Sequence, residues 1–312
     1  MLDNKTIEII KSTVPVLQQY GEAITGRFYD LMFQDHPELL NIFNQTNQKK
    51  KTQRTALANI DQLGNIIPVV KQIGHKHRSI GIKAEHYPIV GKYLLIAIKD
   101  VLGDAATPDI MEAWEKAYGV IADAFIGIEK EMYEEAEQQA GGWKEYKPFV
   151  IAKKEQESKE ITSFYLKPED GKPLPEFQAG QYISIKVRIP DSKYTHIRQY
   201  SLSDMPGKDY YRISVKKDGA VSSYLHDGLH EGDSIEISAP AGDFVLDPSS
   251  QKDLVLISAG VGITPMISML KTSVSKQPER QILFIHAAKN SEYHALRHEV
   301  EEAANHSSVK TA

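Results

Sequence analysis

The chain has 312 residues, with 37 Lys and Arg against 42 Asp and Glu and a formal net charge of −5. That length allows two or three domains, and the slightly acidic balance gives no electrostatic footprint for nucleic acid. The absence of Cys excludes disulfides, iron–sulfur clusters, thiolate haem ligation and Cys nucleophiles, so a metal would be held by His, carboxylate or Tyr.

The N-terminal stretch MLDNKTIEII lacks the pattern of a signal peptide, and no run of 18 apolar residues suggests a membrane span. A cytoplasmic protein is the default expectation. Residues 1–136 read as helical throughout. Ile7, Ile10, Val14 and Leu17 recur at helical spacing, as do Met111, Trp114, Tyr118, Ile121, Phe125 and Met132. Asp35-His36-Pro37 and Thr107-Pro108 mark helix starts, with Pro in the first turn. Tyr87, Val90, Leu94, Ala97 and Val101 mark another helix, expected to stop at Gly103. Between them, Gly74-His75-Lys76-His77 is rich in His. Taken alone, that segment is either a solvated basic cluster or a haem-binding end of a helix.

Residues 137–147 contain Ala140-Gly141-Gly142 and read as a linker. From 148 to 252 the pattern is short β-rich runs separated by Gly, Pro and Asp, at 149–153, 161–166, 182–189, 210–216 and 234–238. Such spacing predicts a small antiparallel barrel. Within it lies Arg198-Gln199-Tyr200-Ser201. Strand alternation sets Arg198, Tyr200 and Leu202 on one face and Gln199, Ser201 and Ser203 on the other. A forked cation, an aromatic ring and a hydroxyl on one strand suit a flat phosphorylated ligand, although an ordinary exposed strand is the plain alternative. Gly219, with Val221, Ser222 and Ser223 after it, offers a second turn, either a phosphate cradle or a hairpin with solvated serines.

Residues 253–312 change style again. An apolar run at 254–258 suits a parallel strand covered on both faces. The Gly260-Val261-Gly262-Ile263-Thr264-Pro265 turn follows, then a helix candidate to about 274, a strand at 282–286 and a second helix candidate at 292–304. This is the opening of a doubly wound α/β domain. A Gly-rich turn between strand and helix can seat a pyrophosphate, or be a tight structural turn only.

Taken together, residues 148–312 resemble the ferredoxin-reductase-like flavoproteins, on the motifs at 198–201, 219–223 and 260–265 in that order. The resemblance implies that Arg198, Gln199, Tyr200 and Ser201, with Tyr182 and the turn of Gly219, Val221, Ser222 and Ser223, bind FAD. It implies that Gly260, Val261, Gly262, Ile263, Thr264 and Pro265 bind NAD(P)H. Upstream, Phe28-Tyr29, Phe43, Gln53 and Lys76-His77 follow the order of a bacterial globin. The whole chain is similar to the flavohaemoglobins, which are nitric oxide dioxygenases. The implied fold is multi-domain: an all-α globin, an antiparallel β-barrel FAD domain and a truncated α/β nucleotide domain. The implied metal ligand is His77 on the iron of haem b, with Phe43 against the porphyrin. Tyr29 and Gln53 are implied over the distal face, and Tyr87 and Glu129 beside His77. Electrons would pass from NAD(P)H through FAD to haem, and NO and O2 would become nitrate.

Two departures from the family enter as expectations. Gln53 and His77 lie only 24 residues apart, and the chain near residues 58–61 skips roughly two helical turns, about 12 Å. The last domain stops after two predicted strands, which predicts poor turnover with NAD(P)H and an exposed sheet edge. The alternative functions are a haem protein that scavenges gas without a competent reductase, and an FAD-binding fragment with a defective haem pocket.

Overall fold

The computed structural model describes residues 2–43, 63–306 and 308–312. Gln53 and residues 58–61 lie outside them. The chain divides into two compact units, Met1–Tyr133 and Glu134–Ala312. Among the described residues no helix is long and apolar enough to cross a membrane.

The first unit is helical. Helix α1 runs over Asn4–Asp35 and begins at an N-cap, where the Asp3 side chain accepts from the Thr6 amide at 2.8 Å. Chain direction changes at His36, and Pro37–Asn41 forms a short 3-10 turn rather than the predicted α-helix start. Helices α2 (Leu63–Ile80), α3 (His86–Leu102) and α4 (Pro108–Gln138) follow. Gly103 ends α3 at φ +55, as its position predicted. One core gathers Ile24, Phe28, Met32, Leu39, Tyr93, Ala97 and Ile98. Another gathers Val70, Ile82, Tyr87, Ala122 and Phe125.

Helices α3 and α4 meet closely at Gly91. A Cβ there would collide with the Tyr118 ring, so the ring lies flat against bare backbone. The Tyr118 hydroxyl donates to the Tyr87 carbonyl at 2.6 Å.

Near the start of the second unit one side chain is anchored in the core. Trp143 is buried in the barrel core against Phe149, and its indole N–H donates to the Ile237 carbonyl at 3.2 Å. Gly141, at φ +76, allows that approach, because a side chain there would strike the Pro173 carbonyl. Strands β1 (Tyr146–Gln156), β2 (Ile161–Pro168), β3 (Tyr182–Val187), β4 (His196–Ser201), β5 (Tyr211–Lys216) and β6 (Ser234–Ser238) form an antiparallel sheet ordered β4-β3-β6-β1-β2-β5. A bridge between Leu202 and Ile213 joins the β4 edge to the β5 edge and closes the barrel. Phe149, Ile151, Leu166, Ile183, Ile185, Leu202, Ile213 and Ile237 fill it, each wholly buried. The turn at Gly219 opens helix α5 (Ala220–Asp227), not a hairpin.

The α/β portion has β7 (Leu254–Ala259), α6 (Ile263–Lys276), β8 (Ile282–Ala287), α7 (Arg297–Ala303) and β9 (Val309–Thr311). Its sheet is parallel, ordered β7-β8-β9. Two corrections follow. A third strand exists where the sequence suggested two. At three residues, with only Val309 buried in the core, it is too short to show a period. And β7 is covered on one face only: Leu256 is buried, whereas Val255 is 52% and Ile257 64% exposed. Right-handed crossovers that advance in one direction lay both helices on the same side of a sheet.

Burial pushes the Tyr118 phenol up to about 12, against an ordinary 10.0. The folded form therefore holds its proton more tightly than the unfolded chain. The stabilisation is complete below pH 10 and is lost as pH rises toward 12. Thermal melting between pH 9 and 12 should show a steep alkaline loss of stability. Tyr118→Phe should melt at a lower temperature at neutral pH yet lose less between pH 10 and 12.

Candidate functional site

His77 lies in the last turn of α2, Tyr87 in the first turn of α3 and Glu129 in the second half of α4. The three helices bring them together. His77 Nδ1 is 2.7 Å from Glu129 Oε1 and 3.2 Å from the Tyr87 hydroxyl. The Tyr87 hydroxyl donates to the same Glu129 oxygen at 2.7 Å. A carboxylate oxygen only accepts, so the ring proton belongs on Nδ1 and the lone pair on Nε2. Glu129 is 3% exposed and Tyr87 8%. Burial first, and then the hydrogen bond to Glu129, raises the Tyr87 phenol well above its ordinary range, which keeps its proton in place as a donor.

Two further residues hold this arrangement. The Phe125 ring centroid is 5.6 Å from the His77 ring and 6.3 Å from the Tyr87 ring. The Tyr133 hydroxyl donates to the Ile82 carbonyl at 2.9 Å and lies 3.2 Å from the Arg78 carbonyl, fixing the turn that follows His77. Sequence reading found Phe125 only as a periodic core residue and did not single out Tyr133. Periodicity reports which face is buried, not which buried ring meets which polar atom. Phe43 packs with the core of Tyr29 and also with that of His77's neighbours. Tyr29 lies between Phe28 and Phe33, ring centroids 4.7 and 5.5 Å away. Burial raises its phenol, so it remains an O–H at neutral pH. Gln53 lies outside the described residues.

These residues fit a haem. The proximal candidate has one nitrogen committed to protein, which leaves Nε2 as the ligating atom. The surrounding side chains are aromatic and aliphatic.

In the second unit, the β3–β4 register pairs Arg198 with Ile185, Tyr200 with Ile183 and Ser201 with Tyr182. Arg198 and Tyr200 thus share the face of two wholly buried core residues, while Tyr182, Gln199 and Ser201 share the other. Tyr200 packs on the core, and burial pushes its phenol up to about 12. Gln199 donates to Ser184 Oγ at 3.1 Å. Arg198 donates to the Ile197 carbonyl at 2.8 Å, and among the described residues no carboxylate pairs with it. The Tyr182 ring lies over Gly242, where a Cβ would stand 2.9 Å from the ring. An Arg without an acid partner among the described residues, on the same strand face as Tyr200, fits a flavin with its phosphates.

Ser222 answers to a different role from the one expected. Its hydroxyl accepts from the amides of Asp218 and Gly219, both at 2.9 Å, and donates to the Gly219 carbonyl at 3.0 Å. It caps α5, which leaves the backbone N–H groups of the first turn, at Ala220 and Val221, as the part suited to an anion. Val221 itself points into the barrel core, whereas Ser223 is half-buried and gives its amide to the Gly219 carbonyl.

The Gly260–Gly262 turn is a 3-10 turn leading directly into α6. A Cβ at Gly260 or Gly262 would meet nothing within 4 Å, so the turn borders open space at a helix N-terminus, which fits a nucleotide phosphate. Val261 is partly exposed there. Ile263 is wholly buried, and its amide is used by Gly260 and Val261. Thr264 donates to the Val261 carbonyl at 3.1 Å. These two serve the turn itself, which leaves the glycines as its open part. Pro265, in the first turn of α6, donates no hydrogen bond.

Comparison with known proteins gives three family matches along the chain. Residues 26–125 match a globin model, 148–246 an oxidoreductase FAD-binding domain and 256–311 an oxidoreductase NAD-binding domain. The chain is 92% identical to a flavohemoprotein of Bacillus subtilis (strain 168), covering 100% of this chain and 80% of the relative. It is 48% identical to a flavohemoprotein of Rhizobium meliloti (strain 1021), covering 97% and 79%. The Bacillus subtilis alignment has 320 positions against 312 residues here. At least eight positions therefore have no residue in this chain, the size of the two-turn shortening expected near residues 58–61. Among solved structures, a flavohemoglobin from Malassezia yamatoensis with bound FAD and heme aligns with a TM-score of 0.87 at 32% identity, over 99% of this chain and 84% of that one. The FAD/NAD-binding domain of a nitric oxide dioxygenase from Vibrio cholerae aligns with a TM-score of 0.51 at 39% identity, over 53% and 72%. On these matches, with the helical, barrel and α/β parts in that order, the chain belongs to the flavohaemoglobin family.

Proposed function

We propose that the protein is a nitric oxide dioxygenase that uses NAD(P)H to convert NO and O2 to nitrate. The observation that carries this reading is the hydrogen-bonded set of His77, Glu129 and Tyr87 in one unit, with the Arg198–Ser201 strand and the open Gly260–Gly262 turn in the other. When bound, haem supplies the iron at which the gases react, FAD the exchange between hydride and single electrons, and NAD(P)H the hydride.

The chain's own residues hold, orient and shield. His77 offers Nε2 to iron. Glu129 accepts the Nδ1 proton, which fixes the tautomer and ring plane and makes Nε2 a stronger donor. Tyr87 and Phe125 hold that imidazole from two sides. Tyr29, protonated and set among aromatic rings, would offer its O–H to a ligand on the distal face, and Phe43 packs against both clusters. Arg198 would fork onto a phosphate of FAD, Tyr200 would give a ring face and a phenolic donor, and Ser201 and Tyr182 share the other strand face. The Ala220 and Val221 amides at the start of α5 would receive the second phosphate, and the glycines of 260–262 would let a nucleotide pyrophosphate approach α6.

Purified protein loaded with haem and FAD should show a Soret band and flavin absorbance, and should consume NO in air when NADH is added. His77→Ala should lose the Soret band while keeping flavin absorbance; retention of a normal Soret band would remove His77 as the ligand. Arg198→Ala should weaken FAD binding by roughly ten- to a hundredfold, the loss of one charge-assisted phosphate contact of about 1.5–3 kcal/mol. Equilibrium dialysis measures it, and unchanged affinity would move the flavin elsewhere.

A further inference from the structure

Four charged side chains of the second unit meet, three of them buried and Lys271 partly so, and none belongs to the site described above. Arg212 on β5 is 4% exposed, Glu299 on α7 6% and Asp204, just past β4, 4%. Arg212 donates to both Glu299 oxygens, at 2.5 and 3.1 Å, to the Ser203 carbonyl, and to Ser203 Oγ at 3.2 Å. It also faces Asp204 at 3.9 Å. Lys271 on α6 reaches Asp204 and Glu299, both at 2.6 Å. Ser268, one helical turn before Lys271, donates to the Asp204 carbonyl at 2.8 Å. Tyr210 donates to Asp204 Oδ2 at 2.8 Å.

The connectivity gives the cluster a meaning. Two of its members, Ser203 and Asp204, continue the Arg198–Ser201 strand, and Arg212 lies on the strand that closes the barrel beside it. Two others, Ser268 and Lys271, stand on the helix that begins at the Gly260–Gly262 turn. Lys271 is eight residues into α6, about 12 Å along its axis. The cluster therefore ties the end of the flavin strand to the helix that carries the nucleotide turn. Two cations and two carboxylates balance. Burial alone would lower the Lys271 ammonium, but its bonds to Asp204 and Glu299 raise it on balance. Burial alone would raise the Asp204 carboxyl, but Arg212 and Lys271 hold it below its ordinary range. Asp204 and Lys271 are thus held in their charged forms, and the Arg212 guanidinium is raised further by Glu299 and Asp204. Apolar residues of the same volume would join barrel and helix at least as firmly, whereas directed charge pairs accept only one register.

We propose that Asp204, Arg212, Lys271 and Glu299 form a positioning latch that sets the separation of nicotinamide from flavin. The proposal rests on the assignment of flavin to the Arg198–Ser201 strand and of nucleotide to the Gly260–Gly262 turn. Hydride transfer needs its reacting atoms about 3–3.5 Å apart, and an error of about 1 Å can cost a hundredfold in rate. The latch residues lie outside the residues assigned to either cofactor; they act through the strand and the helix.

The test uses Lys271→Met in the FAD- and haem-loaded protein, because Lys271 is the most exposed of the four, at 27% of its side chain. Stopped-flow reduction of FAD by saturating NADH should slow by roughly tenfold to a hundredfold. The long-wavelength charge-transfer absorbance of the NAD–flavin pair should weaken. FAD content and the NADH concentration for half-maximal rate should stay near wild type, and Lys271→Arg should recover most of the rate. An unchanged rate and charge-transfer band would overturn the latch, and so would loss of FAD or a collapsed melting temperature, since either makes the cluster a stability element. Full FAD content in Arg198→Ala would overturn the flavin assignment instead, so the two failures are distinct.

Discussion

A carboxylate removed from water must have partners, and Glu129 has two. Burial at 3% exposure leaves its Oε1 with His77 Nδ1 and the Tyr87 hydroxyl, each at 2.7 Å. An unpaired charge in that position would cost several kcal/mol, so the two donors and the acid hold one another in place. Helices α2, α3 and α4 each contribute one member, and the packing of those helices is constrained by the need to keep all three in reach. Gly91 against Tyr118, and Tyr118 on the Tyr87 carbonyl, carry that constraint into the core. The orientation of His77, and with it the chemistry open to Nε2, follows from where the carboxylate can be buried.

The second unit solves a related problem with different means. Its barrel interior is aliphatic and aromatic, and the polar groups proposed to hold its cofactors lie on β4 and at two helix starts. Committed polar atoms and available ones are neighbours in sequence. Ser222 is consumed by its own helix cap, while Ala220 and Val221 keep their amides. Thr264 and Ile263 are consumed by the turn, while Gly260 and Gly262 border open space. A motif is thus a mixture of residues that build the loop and residues that use it.

Much of this was legible in the sequence, for identifiable reasons. Long amphipathic runs gave α1, α3 and α4, and Gly103 ended α3 where a left-handed cap was needed. Alternation around Arg198 set the correct pairs of faces on β4. Other features left no local trace. Strand β9 is three residues long, too short for a period. The half-bare face of β7 depends on which side α6 and α7 fall, a matter of crossover handedness rather than of the apolar run itself. Trp143 resembled part of a linker because its neighbours are glycines, yet those glycines are what let it reach the core. The Asp204–Arg212–Lys271–Glu299 cluster joins residues up to 95 positions apart. Its one hint was an Arg inside the apolar run of β5. Tyr87 and Glu129 entered through family resemblance, and their meeting at His77 needed the three-dimensional structure.

The central claim is that Glu129, by accepting the Nδ1 proton, strengthens His77 as a donor to iron. Resonance Raman spectroscopy of the ferrous haem-loaded protein reads that directly in the iron–histidine stretching frequency. The account predicts a lower frequency in Glu129→Gln than in the unsubstituted protein, because a neutral amide oxygen draws less on the proton. An unchanged frequency in a variant that still binds haem through His77 would contradict it.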